Sequence, residues 1–276
     1  MKRQVDRYGV MGYPVSHSRS PIIHRLFALQ TGQNISYELL PVAPGELRSA
    51  IREFGEKGGK GLNITVPHKT AALDVVDQLS ERATRAGAVN TLVFQDGEIF
   101  GDNTDGVGLL RDLTRNLGLH LASLRILILG AGGATRGILG PLLAAGPESV
   151  TIANRTVEKA RVLAADFSHL GEVTACRFKD VPAADYGLVI NATSAGLKGE
   201  TPPWPRAAIT PDTFCYDLSY GLTPTPFSRW ARECGAREAV LGWGMLVEQA
   251  AESFHLWRGV RPDTRPVLRQ LSISAS

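Results

Sequence analysis

Residues 124–137 of the chain read Leu-Arg-Ile-Leu-Ile-Leu-Gly-Ala-Gly-Gly-Ala-Thr-Arg-Gly. The first half is a leucine-rich and β-branched run that ends in glycine, which is typical of a parallel strand buried on both faces. The second half is rich in small residues, which allow a tight turn to lead into a helix. This stretch therefore predicts the strand, turn and helix that open a βαβ unit.

Alternating strand and helix signals extend from this stretch in both directions. Before it, strands are expected at 8–11, 36–40 and 61–65, helices at 20–31, 46–57 and 68–77, and a hairpin at 91–100 around Asp96-Gly97. After it, strands are expected at 149–153, 186–192 and 214–217, and helices at 157–168, 226–234 and 244–258. The pattern predicts two α/β units with mainly parallel sheets covered by helices, and it leaves open where the last helix packs.

The composition excludes several classes of protein. Hydrophobic residues make up 43% and charged residues 21% of the 276 residues, a balance typical of a folded, soluble chain. The net charge of +3 is dispersed, so no nucleic-acid partner is expected, and no apolar run reaches the roughly 18 residues of a membrane helix. Cys176, Cys215 and Cys234 lie far apart and the six histidines lack metal-ligand spacing, so we expect free thiols, no metal and a cytoplasmic location.

The glycine-rich turn is a candidate nucleotide site. Its members, Gly130, Ala131, Gly132, Gly133 and Ala134, would let the backbone approach a pyrophosphate whose charge lies at the helix N-terminus. The third glycine of the strict GxGxxG pattern would fall at position 135, where this chain has threonine. A tight turn without a ligand is the alternative interpretation, and the position between a strand and a helix favours the nucleotide site.

The residues after the next strand indicate which nucleotide is bound. A site specific for NAD carries Asp or Glu there, which binds the ribose hydroxyls. This chain has Asn154, Arg155 and Thr156, with Lys159 one turn later. Cations and a hydroxyl attract the 2′-phosphate of NADP, and Arg can bind phosphate through two parallel hydrogen bonds. NADP is therefore predicted, with a solvated helix start as the alternative.

Two motifs of the first unit carry candidate substrate groups. Ser16 and Ser18 stand two residues apart in a loop, where an extended backbone would aim both hydroxyls at one carboxylate. Their alternative role is a helix entrance with Ser20 as N-cap. Lys69 closes the run Asn-Ile-Thr-Val-Pro-His-Lys at 63–69, just past a strand end, where open α/β sheets bind ligands. It is a candidate acid–base group, or else a surface lysine.

Two further motifs supply an amide and a carboxylate near strand ends. Asn90 lies in Gly-Ala-Val-Asn-Thr at 87–91, and Asp105 lies in Gly-Asp-Asn-Thr-Asp-Gly at 101–106. Mixed donors and acceptors suit a polyhydroxylated ligand. The alternatives are structural, with Asp102 and Asn103 as turn formers and Asn90 as a cap.

In their order along the chain, these motifs resemble the shikimate dehydrogenase family. The nine motifs are SHS (16–18), NITVPHK (63–69), AGAVNT (86–91), GDNTDG (101–106), GAGGA (130–134), NRT (154–156), NATSAG (191–196), DLSYGLTPTP (217–226) and GWGMLVEQA (242–250). The resemblance runs from Tyr8 to Ala251 and implies an α/β substrate domain at 1–104, a Rossmann-like NADP domain at 105–239 and a C-terminal helical segment at 240–276 that returns to the first domain. The cleft between the domains would be the active site.

The resemblance also implies roles for single residues. Ser16 and Ser18 would bind the substrate carboxylate together with Tyr220. The groups around the ring hydroxyls would be Thr65, Lys69, Asn90, Asp105 and Gln249. The cofactor groove would be completed by Asn191, Thr193, Ser194 and Leu218, by Gly242 on the nicotinamide carboxamide and by Met245 on the nicotinamide ring.

The activity implied by the resemblance is the reversible, NADP-dependent reduction of 3-dehydroshikimate to shikimate in aromatic amino acid and chorismate biosynthesis. Lys69 would donate the proton to the developing alkoxide, and Asp105 would orient the ammonium. No metal is implied, and a monomer or homodimer is expected. Asp102 stands where the family often has an aromatic or other bulky residue, and its role is open.

Two rival functions remain. A quinate/shikimate dehydrogenase that uses NAD would replace one loop serine and carry an acidic residue near the ribose, and Ser16, Ser18 and Arg155 argue against it. A non-catalytic NADP-binding regulator of the same fold would have lost Lys69 or Asp105, and this chain has both.

Overall fold

The computed structural model of the protein describes residues 5–193 and 202–273. Its strands are β1 (Asp6–Gly12), β2 (Ile35–Pro41), β3 (Gly59–Ile64), β4 (Gln78–Leu79), β5 (Thr91–Gln95), β6 (Glu98–Asp102), β7 (Arg125–Leu129), β8 (Ser149–Ala153), β9 (Val173–Cys176), β10 (Leu188–Asn191), β11 (Phe214–Asp217) and β12 (Glu238–Leu241). Its α-helices are α1 (Ser20–Thr31), α2 (Leu47–Glu56), α3 (Glu81–Ala86), α4 (Asp105–Arg111), α5 (Gly133–Ala144), α6 (Val157–Phe167), α7 (Pro226–Glu233), α8 (Trp243–Arg258) and α9 (Thr264–Ile273).

The chain forms two compact units. The first contains the residues through Gly108 together with Leu246–Arg269, and the second contains Leu109–Met245 and the residues from Gln270 onward. Helix α8 therefore has its first turn in the second unit and the rest in the first. The predicted α/β class is confirmed, while the domain boundaries derived from the sequence stay predictions. Within the two described ranges, no helix combines the length and apolar character that crossing a membrane requires.

The first unit is built on a sheet of mixed direction. Its strand order is β2-β1-β3-β5-β6-β4, in which β2, β1 and β3 are parallel and β5 runs antiparallel to both β3 and β6. The hairpin between β5 and β6 turns at Asp96 and Gly97, as predicted. Both residues have left-handed φ angles, of 54° and 85°, which match the right-handed twist of the paired strands.

The helix predicted at 68–77 is wrong, because only a short 3₁₀ turn forms there, at Ala71–Asp74. The residues from Asp77 onward pair with β6 instead of continuing a helix. The backbone N–H of Asp77 donates to the carbonyl of Ile99 at 2.8 Å, and the Asp77 carboxylate accepts the N–H of Ile99 at 2.7 Å. The chain continues from this pair as strand β4, at the sheet edge.

Helix α8 packs on the first sheet through a close contact with β3. The indole N–H of Trp257 donates to the carbonyl of Leu92 at 2.9 Å, and a Cβ on Gly61 would lie only 2.3 Å from that indole nitrogen. The Trp257 ring also stacks on Tyr8 with ring centroids 4.7 Å apart. Only glycine at position 61 leaves room for this indole, which explains how the last long helix packs on the first unit.

The second unit is built on a parallel six-stranded sheet. Its strand order is β9-β8-β7-β10-β11-β12. Strands β8 and β9 therefore follow β7 on one side of the sheet, and β10, β11 and β12 lie on the other side of β7. This is the strand order of two mononucleotide-binding halves, and ligands bind where the order reverses. Strands β7 and β10 pair in register at that point, and their apolar side chains are fully buried.

A buried ion pair anchors the end of β6. Asp102 is only 2% exposed, and its carboxylate accepts hydrogen bonds from two nitrogens of Arg82, at 2.6 and 2.5 Å. The hydroxyl of Ser80 and the backbone N–H of Asn103 donate to the same carboxylate. Burial raises the pKa of the Asp102 carboxyl, but these donors and the charge of Arg82 outweigh it, so the pKa lies below its usual value. Arg82 also contacts Glu252 at 3.1 Å.

We predict that Arg82→Met lowers the free energy of unfolding by about 3 kcal/mol, because it leaves the buried Asp102 carboxylate without its charge partner. Urea denaturation of the two proteins at neutral pH measures this difference. Arg85→Met, on the same helix, is the matched control. Among the described residues, the ion-pair partner of Arg85 is exposed Glu81, so its removal should change the free energy by less than about 0.5 kcal/mol.

The decrease in the free energy of unfolding caused by Arg82→Met should also depend on pH. Because the pKa of Asp102 is lowered in the folded protein, the stabilisation from the pair is complete above the ordinary carboxyl pKa of about 4. It is lost as the pH falls through the lower folded value, so the difference between the two proteins should shrink in acid. A difference that stays constant from about pH 7 to about pH 3 would contradict the ion-pair interpretation.

Candidate functional site

Four sequence motifs meet at one edge of the first sheet because of strand direction. Strands β1 and β3 are parallel, so the residues that follow Gly12 and Ile64 leave at the same edge. Strand β5 runs the opposite way, so it begins at this edge, directly after Asn90. Strand β6 is antiparallel to β5 and ends at the same edge, so Asp105 follows three residues past its end. The mixed direction of the sheet therefore brings the predicted substrate groups together.

Lys69 and Asp105 form an ion pair at this edge. The distance between Lys69 Nζ and Asp105 Oδ2 is 2.5 Å, with the two side chains 30% and 11% exposed. Asp105 is the first residue of α4, where a negative charge is stabilised by the helix dipole. The carbonyl of Lys69 accepts the N–H of Val89 at 2.8 Å, which holds the lysine backbone in place. A partly desolvated lysine beside a carboxylate is suited to proton transfer.

Asn90 and Gln249 complete the group around this pair. The Asn90 amide nitrogen lies 2.9 Å from Asp105 Oδ1 and 3.5 Å from Gln249 Oε1. Gln249 is carried by α8, which crosses α4 so closely that a Cβ on Gly108 would lie 2.7 Å from the Gln249 backbone nitrogen. Four of the predicted substrate residues are thus brought into one cluster, with amide, carboxylate and ammonium groups side by side.

Thr65 lies near the same edge in the loop after β3. Its backbone N–H donates to the carbonyl of Met11 at 2.9 Å. Its methyl group packs on Gly12, where an added Cβ would lie only 2.4 Å from that methyl carbon. The side chain is half-buried. Thr65 therefore holds a defined position next to the loop that leads to Ser16.

The two loop serines differ from expectation in their backbone. They were predicted in an extended segment, but Ser16 and His17 occupy the centre of a turn closed by a hydrogen bond from the N–H of Ser18 to the carbonyl of Val15. The predicted N-cap role of Ser20 is also wrong, because α1 is capped at Arg19. Ser18 Oγ instead accepts the N–H of Ser20 at 3.3 Å.

The two loop serines differ in exposure, and the hydroxyl of Ser16 is accessible to a ligand. Ser16 is exposed, and within the described part of the chain its hydroxyl has no hydrogen-bond partner. Ser18 is half-buried. Tyr220, the third predicted carboxylate ligand, belongs to the second unit, where its ring centroid lies 5.0 Å from that of Trp243.

Sequence reasoning missed a layer of buried polar residues beneath Asn90. Thr91, Thr104 and Ser253 are fully buried, and their hydroxyls lie within hydrogen-bond distance of one another. Asn63 donates to Ser253 Oγ at 3.0 Å. The signal that could have found them is a serine on the apolar face of α8, since a buried polar group needs partners from the elements it faces.

The predicted cofactor residues share one edge of the second sheet. All six strands are parallel, so their carboxyl ends lie together. Five strands of this sheet are followed by predicted cofactor residues, which are Gly130–Ala134 after β7, Asn154–Thr156 and Lys159 after β8, Asn191 and Thr193 at β10, Leu218 after β11, and Gly242 with Met245 after β12.

The glycine turn after β7 is shaped for a close ligand. Gly130 has a φ of 109° and packs against the backbone of Ala192, which a Cβ would approach to 3.1 Å. Gly132 and Gly133 are exposed and have open space where a Cβ would point. Thr135, at the third glycine position, is buried and donates its hydroxyl to the carbonyl of Gly130 at 2.8 Å, so it stabilises the turn.

The N-terminus of α5 fits an anion. It begins at Gly133 with Gly132 as N-cap, carries no acidic residue in its first turn and, in the part of the chain that the structure describes, has no side-chain cap. Its first backbone N–H groups are therefore free to bind a negatively charged group, and the helix dipole favours one there. These features fit the pyrophosphate of a dinucleotide.

The residues after β8 offer two cations. Arg155 and Lys159 are exposed, and among the described residues neither side chain has an ion-pair or hydrogen-bond partner. Asn154 turns its amide toward the carbonyl of Thr156, with the atoms 2.8 Å apart. Cations held near the glycine turn by one sheet edge fit an additional phosphate on the ribose.

The remaining cofactor candidates are tied together by hydrogen bonds. The Asn191 amide donates to the buried Asp217 carboxylate at 3.0 Å and accepts the Thr193 hydroxyl at 2.7 Å. The N–H of Leu218 donates to the carbonyl of Asn191 at 3.0 Å. A Cβ on Gly242 would lie 2.5 Å from the carbonyl oxygen of Leu218, so only glycine fits at that point. Burial raises the pKa of the Asp217 carboxyl.

Met245 is held by its backbone at the start of α8. Its N–H donates to the hydroxyl of Tyr216 at 3.2 Å, and that hydroxyl donates in turn to Asp112 at 2.6 Å. The half-buried Met245 side chain packs against the core of the second unit. Residues 194–196, the rest of the Asn-Ala-Thr-Ser-Ala-Gly motif including the predicted Ser194, lie outside the described residues.

Three family models match the chain. The model of the shikimate dehydrogenase substrate binding domain matches residues 10–92, and that of shikimate / quinate 5-dehydrogenase matches residues 112–198. The model of the shikimate 5′-dehydrogenase C-terminal domain matches residues 242–271. Together the three matches cover more than half of the sequence.

Known proteins are similar over nearly the whole length. A shikimate dehydrogenase (NADP(+)) of Methylococcus capsulatus is 56% identical over 269 residues, which cover 97% of this chain and 96% of the relative. The crystal structure of an Ael1 enzyme from Pseudomonas putida is 46% identical with a TM-score of 0.91, covering 98% of this chain and 100% of that one. The crystal structure of the shikimate 5-dehydrogenase of Thermus thermophilus in complex with NADP(H) and shikimate is 34% identical with a TM-score of 0.86, covering 99% and 100%.

Proposed function

Because the chain belongs to the shikimate dehydrogenase family, we propose that it interconverts 3-dehydroshikimate and shikimate with NADP(H), using Lys69 and Asp105 as its acid–base pair. The protein is an oxidoreductase of aromatic amino acid and chorismate biosynthesis. The observation that carries the proposed chemistry is the 2.5 Å contact between the lysine ammonium and the aspartate carboxylate, in a cluster with Asn90 and Gln249.

The proton transfer falls to Lys69. The hydride that reduces the carbonyl carbon of 3-dehydroshikimate comes from NADPH. As negative charge develops on the carbonyl oxygen, the Lys69 ammonium donates a proton to it, which leaves a hydroxyl on the ring and a neutral amine. Asp105 orients the ammonium, and in the oxidation of shikimate the neutral amine takes the hydroxyl proton back. Partial burial of the pair strengthens these charge interactions relative to water.

The other residues at the first sheet edge bind the substrate. We assign Ser16 and Ser18, together with Tyr220, to the carboxylate, since hydroxyl groups donate well to a negative charge. Thr65, Asn90 and Gln249 bind the ring hydroxyls, for which a hydroxyl and two amides offer both donors and acceptors. The exposure of the Ser16 hydroxyl supports its part in this assignment.

The cofactor groups follow the carboxyl ends of the second sheet. Gly130–Ala134 and the N-terminus of α5 bind the pyrophosphate, and the 2′-phosphate is bound by Asn154, Arg155, Thr156 and Lys159. Asn191, Thr193 and Leu218 line the groove, and Gly242 and Met245 contact the nicotinamide. The open space above Gly132 and Gly133 supports the first of these assignments.

The rival functions are weaker on the same residues. An NAD-dependent quinate/shikimate dehydrogenase would favour a carboxylate near the ribose, where this chain has Arg155. A non-catalytic regulator has no need of an ion pair between Lys69 and Asp105. The free thiols of the three cysteines are consistent with a cytoplasmic location, which remains a proposal, as does the choice between monomer and homodimer.

A single assay tests the proposed function. The purified protein is supplied with shikimate or quinate, each with NADP or NAD, and formation of the reduced nicotinamide is followed by its absorbance. We expect turnover with shikimate and NADP to exceed every other pairing. Dominant oxidation of quinate with NAD would instead establish the first rival function, and no turnover with any pairing would favour the regulator.

The role of Lys69 is tested by Lys69→Ala. We expect kcat to fall by about a hundredfold or more, because the proton donor is gone, while the dissociation constant for shikimate changes modestly. Lys60→Ala is the control, since Lys60 is an exposed lysine on the strand that precedes Lys69. It should keep the kcat of the parent protein. An unchanged kcat in Lys69→Ala would remove this lysine from the chemistry.

The choice of cofactor is tested by Arg155→Ser. Loss of a charge-assisted contact to the 2′-phosphate should raise KM for NADP by about tenfold or more and leave KM for NAD nearly unchanged. Arg161→Ser is the matched control, because Arg161 is an exposed arginine on α6, the helix that follows Arg155. Steady-state kinetics with both cofactors decide the matter, and an equal change for NADP and NAD would exclude a specific phosphate contact.

A further inference from the structure

The amide of Asn90 is held in one orientation by fully buried groups of the protein. Its oxygen accepts the backbone N–H of Thr104 at 2.8 Å, and a backbone N–H can only donate. The amide nitrogen must therefore face the Asp105 carboxylate and Gln249. A second donor, the hydroxyl of Thr91, reaches the same amide oxygen at 2.9 Å.

The hydroxyl of Thr91 lies at the centre of the buried layer beneath Asn90. It is 2.8 Å from Ser253 Oγ and 3.2 Å from the amide nitrogen of Asn63. These contacts join three elements of the first unit, namely β5, β3 and the part of α8 that carries Gln249. Thr91 itself is fully buried, so water cannot replace any partner that is lost.

The orientation of the Asn63 amide in this layer is fixed by a carbonyl, which can only accept. The Asn63 amide nitrogen donates to the carbonyl of Asn90 at 3.2 Å, and its oxygen accepts the Tyr37 hydroxyl at 2.7 Å. Asn63 is therefore a donor toward Thr91 and Ser253. The single proton of Ser253 has two acceptors within reach, the carbonyl of Gln249 at 3.1 Å and Thr91 Oγ1 at 2.8 Å. The Thr91 hydroxyl donates to the Asn90 oxygen at 2.9 Å.

We propose that Thr91 is a positioning residue, whose buried hydroxyl holds the Asn90 amide nitrogen toward Asp105 and the ring hydroxyls of the substrate. This inference rests on the proposed function, because it concerns the alignment of the same site. Thr91 is fully buried, so the role proposed for it is indirect. Its effect passes through Asn90, which donates to the carboxylate that orients Lys69.

The effect on catalysis follows from the loss of one constraint. Without the hydroxyl, the Asn90 oxygen keeps the hydrogen bonds from Thr104, and the amide gains freedom to leave Asp105. Ser253 and Asn63 each lose a partner within a site closed to water. Misalignment of positioned groups lowers turnover by large factors even when every reacting group is present.

The test is a pair of substitutions at one position. Thr91→Val removes the hydroxyl and keeps the shape, and Thr91→Ser keeps the hydroxyl and removes the methyl group. With wild-type activity on shikimate and NADP as the reference, we expect Thr91→Val to lower kcat/KM for shikimate by about tenfold, with KM for NADP within about twofold. Thr91→Ser should stay within about threefold of the wild type in every parameter.

A control separates positioning from loss of stability. Thr151→Val removes a buried hydroxyl from strand β8 of the second unit, where it bonds to Thr174 at 3.1 Å. It should lower the melting temperature without a selective loss for shikimate. If Thr91→Val does not fold, as judged by circular dichroism, then Ser253→Ala replaces it, with an expected fall in kcat/KM for shikimate of about threefold or more.

Each outcome decides one question. Wild-type kinetics in Thr91→Val, or an equal loss in Thr91→Ser, would overturn the positioning role and leave the proposed function intact. A selective shikimate defect in Thr151→Val would overturn it as well, because the defect would then be a general result of weakening the fold. Absence of shikimate turnover in the wild type would instead overturn the proposed function.

Discussion

The ion pair between Lys69 and Asp105 is the interaction on which the site depends. Two charges that are partly removed from water lose hydration, and their attraction offsets that loss only when the surrounding donors and acceptors are also satisfied. Here the carboxylate has an amide donor in Asn90 and the N-terminus of α4 beneath it. The lysine stays partly exposed, so a group that reacts with it can reach the ammonium. Without this carboxylate, the Lys69 side chain would lose the partner that orients its ammonium group.

The direction of the strands creates that arrangement. A purely parallel sheet would place each strand start at the edge opposite the strand ends, and Asn90 would then lie far from Lys69. Strand β5 is inserted antiparallel beside β3, which brings its first residues to the edge where β3 ends. The insertion of β5 also buries a set of polar groups behind this edge. The hydroxyls of Thr91, Thr104 and Ser253 satisfy them, which keeps the edge rigid.

The sheet of the second unit is simpler, because all of its strands run in the same direction. Its parallel strands place every carboxyl end at one edge, so a single long ligand can contact the loops after five of them. The conformation of Gly130 and the open space above Gly132 leave the backbone of the glycine turn accessible. In the proposed function, side chains are needed where a particular phosphate is selected, and Arg155 and Lys159 would supply the charge.

The sequence by itself determined the α/β class, the glycine turn, the hairpin at Asp96-Gly97 and the residue types of the site, because these depend on local periodicity and on backbone conformations open mainly to glycine and asparagine or aspartate. It did not reveal strands β4, β9 and β12 or helices α3, α4 and α9, which depend on packing partners distant in the chain. It also predicted an extended segment at Ser16, where the structure has a turn. Only the tertiary structure decided that Asp102 is a buried anchor for Arg82 and that Thr91 lies behind Asn90. The physical reason is that hydrogen bonds and ion pairs join residues whose separation along the chain carries no signal, whereas the glycine turn and the hairpin are specified by residues adjacent in the sequence.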